Sequence, residues 1–161
     1  MKKYKNCTLD EYLDVLSKRT PVPGGGSAAA MTAAMAVALV SMVANYSKSR
    51  DSNIRSQKKI GAILKQSAQI RRRLLELVDL DAQAYLGVVK TRQSPTKTKK
   101  KALRKAAEVP LEVCRLCYRA IQLTPYLVEK GNPRLISDIE VAAELLLAAF
   151  HSARVNVGAN Q

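Results

Sequence analysis

The chain has 161 residues, 47% of them apolar, which is enough to bury a sizeable core and short enough for a single domain spanning residues 1–161. Lys and Arg number 27 against 13 Asp and Glu, and the formal charge of +14 points to anionic partners (nucleic acid, acidic lipid or a polyanionic small molecule) without choosing among them. Three cysteines, with no apolar h-region after Met1–Lys5, argue against a secreted disulfide scaffold and for a cytoplasmic protein with reduced thiols.

Thr8 and Glu11 predict a capping box for a first helix that carries Leu9, Tyr12, Leu13 and Leu16 and stops before Pro21. Pro21-Val22-Pro23-Gly24-Gly25-Gly26-Ser27 then opens a helix of unusually small residues. Prolines stiffen the approach, glycines without Cβ can take positive φ and bring backbone N–H groups close to a ligand, and the free donors of a first helical turn attract an anion. The plainer alternative is a tight turn with Ser27 as an ordinary N-cap.

No charged side chain occurs from Thr20 to Ser47, so a membrane span has to be weighed. The stretch leans on Ala rather than on Leu, Ile and Phe, which sets the span aside. Ala30, Ala34 and Ala38 instead form a smooth ridge for close helix packing, at the core of the domain or of a dimer.

After Ser52 a helical pattern runs to about Arg92, with Ile60, Ile63, Leu64, Ile70, Leu74, Leu77, Val78 and Ala82 on its apolar face and Lys58, Lys59 and Arg71 to Arg73 solvated. Pro95 closes it. A basic helical segment follows from Lys97 to Glu108, and Pro110 starts or kinks the next helix, which carries Leu111, Val113, Leu116, Tyr118 and Leu127. Gly131 and Asn132, with Pro133 beyond, stop that helix. Ser137 and Glu140 predict a second capping box for a final helix reaching toward Val157. With almost no period-2 alternation, the expected fold is all-α, a helical bundle with one or two long central helices.

Asp79 and Asp81 interrupt a strongly apolar run, and Tyr85 lies one turn beyond Asp81 on the same face. A carboxylate turned inward there would have its pKa raised by desolvation or lowered by a cation, so it could serve as acid or base; on the wet face it would do neither. Asp138, in a first helical turn, complements the helix dipole on the plainest reading. Cys114 and Cys117 form a C-x-x-C without a βαβ context, zinc would need Cys7 and His151 to join them, and no metal is expected. No Walker-type glycine loop is present.

Several motifs in order carry a resemblance. Pro21 to Ser27 with the following Ala-rich helix to Ala44, Asp79 to Tyr85, Glu108-Val109-Pro110-Leu111, Gly131-Asn132 with Ser137-Asp138, and Asn156-Val157 with Asn160 are similar to the C-terminal domain of formiminotransferase-cyclodeaminases and its stand-alone relatives, methenyltetrahydrofolate cyclohydrolases included. The resemblance covers nearly the whole chain. It implies an all-helical homodimer that binds a reduced folate, a tetrahydrofolate derivative as substrate, in a cleft near the subunit interface. Two departures stand out: the segment between Tyr85 and Pro110 is short and carries Lys97, Lys99, Lys100, Lys101, Arg104 and Lys105, and relatives continue with further helices beyond Gln161.

On this resemblance the chemistry is cyclodeamination of 5-formiminotetrahydrofolate with loss of ammonia, or addition of water to 5,10-methenyltetrahydrofolate. Asp81 is the expected acid or base, with Asp79 second. Gly24, Gly25, Gly26 and Ser27 would present N–H donors, Tyr85 would flank the site, and Asn132, Ser137, Asp138, Asn156 and Asn160 would complete substrate binding. The basic surplus suits a polyglutamylated tail. Alternatives are a basic helical nucleic-acid-binding module using Lys97 to Lys105, and a non-catalytic folate-binding scaffold.

Overall fold

The computed structural model describes residues 3–48 and 53–160; the Met1–Lys2 start, the Ser52 boundary and Gln161 lie outside the described residues. After a 3-10 turn at Tyr4–Asn6 come six α-helices: α1 Leu9–Ser17, α2 Gly25–Lys48, α3 Ile54–Lys90, α4 Thr96–Ile121, α5 Thr124–Lys130 and α6 Ile136–Ala159. There is no strand among the described residues, as the sequence periodicity implies.

The α1 capping box forms as expected: Glu11 N–H donates to Thr8 Oγ1 at 3.2 Å and Thr8 N–H donates to Glu11 Oε2 at 3.0 Å. At the head of α3, Asn53 Oδ1 accepts from Arg55 N–H at 2.9 Å. α2 is apolar on most sides and its inner side is enclosed; Ala30, Ala33, Ala36, Val37, Val40 and Ala44 are fully buried. α2 is long and apolar enough to cross a membrane, yet most of it is buried inside the bundle, between α3 and α6. Ala30 and Ala34 of the ridge are buried within the subunit, while Ala38 is half-buried on a side of α2 where Met35 and Tyr46 are exposed.

Direction follows from cross-helix hydrogen bonds. Ser41 donates to Ser67 Oγ at 2.9 Å and Ser27 N–H to Asp81 Oδ2 at 2.9 Å, so α2 and α3 are antiparallel. Ser47 Oγ accepts from Asn132 N–H at 2.9 Å near the start of α6, while Asn156 near its end lies against Gly25, so α2 and α6 are antiparallel too. Arg73 grips the Glu112 carboxylate with two nitrogens, at 2.7 and 2.9 Å, tying α3 to α4. Ile60, Ile70, Leu74, Leu77, Val78, Val113 and Leu127 fill the space between.

Four local expectations are corrected. None of Gly24, Gly25 or Gly26 has a positive φ, so these glycines supply room rather than unusual dihedrals. Pro110 lies inside α4 and is buried, so the basic segment and the following apolar one are a single helix. That helix does not reach Leu127: it ends at Ile121, and α5 starts afresh with Pro125 in its first turn. Ser137 caps nothing, because α6 continues directly from a 3-10 turn at Pro133–Leu135, whose first N–H groups are met upstream by Asn132 Oδ1 accepting from Arg134 N–H at 3.1 Å.

Candidate active site

The N-terminal end of α2 forms one wall of a cleft of about 370 Å³. Gly24, Gly25 and Gly26 come from this end, Asp81 and Tyr85 from α3, Ala106 from α4, and Asn156 and Asn160 from the last turns of α6. Four segments far apart in sequence thus converge, and seven of the expected site residues are among those lining the cleft.

The first turn of α2, just after the glycine triplet, holds the Asp81 carboxyl group. Its Oδ2 accepts the N–H of Ser27 at 2.9 Å within the first turn of α2, where the helix dipole is positive. A Cβ on Gly26 would fall on the Asp81 carboxylate, so glycine at 26 is a steric requirement. Burial pushes the Asp81 carboxyl above the ordinary carboxylate range, and the Ser27 N–H partly offsets this. The result is a carboxyl group held by one oxygen that keeps its proton to higher pH than an ordinary carboxylate.

Asn156 and Asn160 form a ladder along α6: Asn160 Nδ2 donates to Asn156 O and Asn156 Nδ2 to Ser152 O, each at 2.9 Å. Those bonds fix both amides by one donor and leave the Asn156 carboxamide 3.6 Å from where a Cβ of Gly25 would be. Tyr85 is 41% exposed at the rim, an aromatic surface that a flat ring can stack on.

The remaining expected residues lie elsewhere. Ser27 lends the site its backbone N–H only; its hydroxyl is buried and paired with Tyr12 OH at 3.0 Å. Asp79 is outside the cleft, buried, and accepts the Lys5 N–H at 3.3 Å, fastening the N-terminal turn to α3. Asn132, Ser137 and Asp138 sit at the opposite end of the bundle, about 30 Å away along α2 at 1.5 Å per residue.

Three contributors went unread in the sequence. Tyr12 supports Ser27 from α1, and its own pKa is raised, chiefly by burial, with the nearby Asp81 charge adding to the rise. Tyr4 OH donates to Val22 O at 3.1 Å and holds the approach to the glycines. Ala106 lines the cleft four residues before Pro110, whose missing N–H removes the normal partner of the Ala106 carbonyl. The Val109-Pro110 motif was the available signal for it.

Other chemistry is not assembled. Burial pushes the Cys117 thiol up to about 12 and raises Cys114, whose Sγ–H is directed at Phe150 O at 3.6 Å, so both behave as packing thiols. Among the described residues no three His, Cys, Asp or Glu side chains gather as metal ligands.

The family model for formiminotransferase-cyclodeaminase matches residues 8–161. The chain belongs to that family. It is 35% identical to a methenyltetrahydrofolate cyclohydrolase of Methylorubrum extorquens across 96% of this chain and 79% of that protein. A rat formimidoyltransferase-cyclodeaminase is 32% identical, with 94% of this chain matching 30% of the longer relative. In three dimensions the chain resembles the formiminotetrahydrofolate cyclodeaminase of Thermotoga maritima, with a TM-score of 0.93 and 33% identity over 97% of this chain and 79% of that one. The motifs that carry the resemblance divide between the cleft, with Gly24 to Gly26, Asp81, Tyr85, Asn156 and Asn160, and the far end of the bundle, with Asn132, Ser137 and Asp138.

Proposed function

We propose that the chain is a folate-dependent one-carbon enzyme that works at the carbon carried between N5 and N10 of tetrahydrofolate. It does so as a methenyltetrahydrofolate cyclohydrolase or as a formiminotetrahydrofolate cyclodeaminase. The observation that carries this reading is Asp81: a carboxyl held by the Ser27 N–H, raised in pKa by burial, in a cleft that also offers amide and aromatic groups.

For water addition to the methenyl cation, ionised Asp81 takes a proton from the attacking water while its charge favours the cationic carbon. For ammonia release, N10 attacks the formimino carbon and gives its proton to water, while protonated Asp81 supplies one to the terminal nitrogen, whose bond to that carbon then breaks to free ammonia. Asn156 and Asn160 suit the hydrogen-bonding edge of a pterin, and Tyr85 its face. Lys100 and Arg104 line a second groove that shares Asn160 with the cleft, which suits a polyglutamate tail leaving the site. A homodimer in the cytoplasm completes the reading, in keeping with three free cysteines.

Separate incubation with 5-formimino- and 5,10-methenyltetrahydrofolate, followed by methenyl absorbance, tests it. A rise with the first marks the deaminase and a decay with the second marks the hydrolase. Binding without either change marks a scaffold. Full activity in Asp81→Asn would remove Asp81 from the mechanism.

A further inference from the structure

We propose that Tyr12 is a positioning residue for Asp81: its hydroxyl grips the Ser27 side chain and so holds the first turn of α2 where the Ser27 N–H meets the carboxylate. The proposal deepens the folate reading and rests on it only for turnover.

The glycine stretch has nothing of its own to hold it in place. Gly24, Gly25 and Gly26 carry no side chains, and nothing lies within 4 Å of where a Cβ on Gly24 would be. Ser27 is the first residue of α2 whose side chain can anchor that turn. It is fully buried, and its hydroxyl shares a hydrogen bond of 3.0 Å with the hydroxyl of Tyr12, which is 3% exposed. Neither hydroxyl has another partner among the described residues. The N–H of Ser27 is one of the free donors of a helix start, and Asp81 Oδ2 accepts it at 2.9 Å. One residue therefore joins α1, through its side chain, to α3, through its backbone.

The grip acts on both sides of the glycines. The Tyr12 ring stands edge-on to Tyr4, with ring centres 6.5 Å apart at 77°, and Tyr4 OH donates to Val22 O at 3.1 Å. Val22 precedes the glycines and Ser27 follows them, so the N-terminal segment clamps the stretch before and after. The Lys5 N–H on Asp79 fastens the same segment to α3, two residues from Asp81.

Stability does not call for these hydroxyls. Two buried polar groups that bond only to each other can be replaced together by apolar groups of the same shape at almost no cost, and Phe with Ala would fill this space. The apolar pair would lack a directed bond, and with it the fixed orientation of the first turn. A looser turn weakens the Ser27 N–H bond to the ionised carboxylate, so the Asp81 proton would be held to still higher pH.

Other charges leave that titration to Asp81. It is the one charged side chain lining the cleft, with Tyr85 the other titratable group there. α2 has no charged side chain before Lys48, and Asp10, Glu11 and Asp14 of α1 are exposed. Asp79 is turned to the N-terminal segment, whose Lys5 charge is felt at Glu76, while Lys105 of α4 and Arg154 of α6 are exposed.

Carboxyl-carbon NMR of the folate-free protein, with the Asp81 signal assigned by its loss in Asp81→Asn, reads the site directly. In Tyr12→Phe with Ser27→Ala the Asp81 midpoint is expected to rise by about 0.5 pH unit or more, with Tm within about 3 °C of wild type. Tyr12→Phe alone keeps the ring against Tyr4 and should move the midpoint in the same direction. The matched control is Tyr126→Phe with Ser56→Ala, since Tyr126 OH donates to Ser56 Oγ at 2.9 Å in a pair of the same chemistry. Ser56 is 25 residues from Asp81 along α3, about 38 Å at 1.5 Å per residue, so that control should leave the midpoint unmoved. An unmoved midpoint in either folded Tyr12 variant, or an equal rise in the control, overturns the proposal. With folate substrate, the double variant at Tyr12 and Ser27 should lose about tenfold in kcat with KM within about twofold, and an unchanged kcat also overturns it. Absence of turnover in the wild type would defeat the folate reading alone, since the carboxyl titration needs no substrate.

Discussion

Asp81 on α3 and Ser27 on α2 stand 54 residues apart in sequence and are joined by a hydrogen bond of 2.9 Å from the Ser27 N–H to Oδ2. The bond exists because Gly26 leaves space for the carboxylate.

Gly26→Ala is expected to displace Asp81, since the new methyl would occupy the carboxylate's place. A shift of about 1 Å in a reacting group can cost about 10²-fold in rate, so turnover should fall on that order while the helical circular dichroism persists. Gly24→Ala is the matched control, because nothing lies within 4 Å of its added carbon. Equal effects at the two positions would mean that the glycines matter for backbone freedom and not for the seat of Asp81.

The pH dependence of kcat/KM should follow the Asp81 proton. Burial raises this carboxyl, so water addition, which needs it ionised, should climb with pH through a value above the ordinary carboxylate range. Ammonia release, which needs it protonated, should decline through the same region. Either limb should vanish in Asp81→Asn, and its survival would assign the titration to another group.

Stability should show the converse sign. Between the unfolded carboxyl pKa near 3.9 and the raised folded value, the folded state binds more of the Asp81 proton than the unfolded state, so stability is lost as pH rises. Asp81→Asn should therefore raise Tm at pH 7.5 relative to wild type, and the gain should shrink toward pH 3.5. A uniform Tm change at both pH values would mean packing and not ionisation.

What the sequence made legible was local. The Thr8–Glu11 box and the long apolar stripe of α3 depend on spacings within one helix, and both formed. Pro110 was ambiguous because its propensity favours a helix start, yet packing of α4 against α3 and α6 carries the helix through it. The break at Gln122–Leu123 lacks a glycine, and Pro125 beyond it was the only mark. Asp79 and Asp81 could not be told apart by pattern: two residues separate them by about 200° on a helix, and only α2 and the N-terminal turn decide which faces the cleft. The grouping of Gly24–Gly26 with Asn156 and Asn160, and the exclusion of Asn132, follow from α2 and α6 running antiparallel, which no local pattern encodes.

Gly131 is a second glycine required by space. An added Cβ there would run into the Leu127 carbonyl oxygen and lie 3.0 Å from Ser47 Oγ, the atom that receives Asn132 N–H. Gly131→Ala should cost about 1–3 kcal/mol, as overpacking of a rigid site does. Urea denaturation measures it, and because this end is remote from Asp81, a kcat within twofold of wild type is expected. A larger loss of stability than of any helix cap would confirm that the α5–α6 corner is rigid; a neutral result would show that the corner yields.

Lys100 and Arg104 separate the folate reading from the nucleic-acid one. Their groove shares Asn160 with the cleft, so a flexible polyanion leaving the site would pass between them. Replacing both with Ala should raise KM several-fold for a polyglutamylated substrate and leave kcat and the monoglutamate KM unchanged, with the difference fading as salt rises past a Debye length of about 8 Å at physiological ionic strength. A nucleic-acid module predicts instead a steep salt dependence of RNA or DNA binding that falls with Lys99 to Lys101 and ignores Gly26→Ala. The second pattern, seen without the first, would reassign the basic face of α4 from the substrate's tail to a separate polymer.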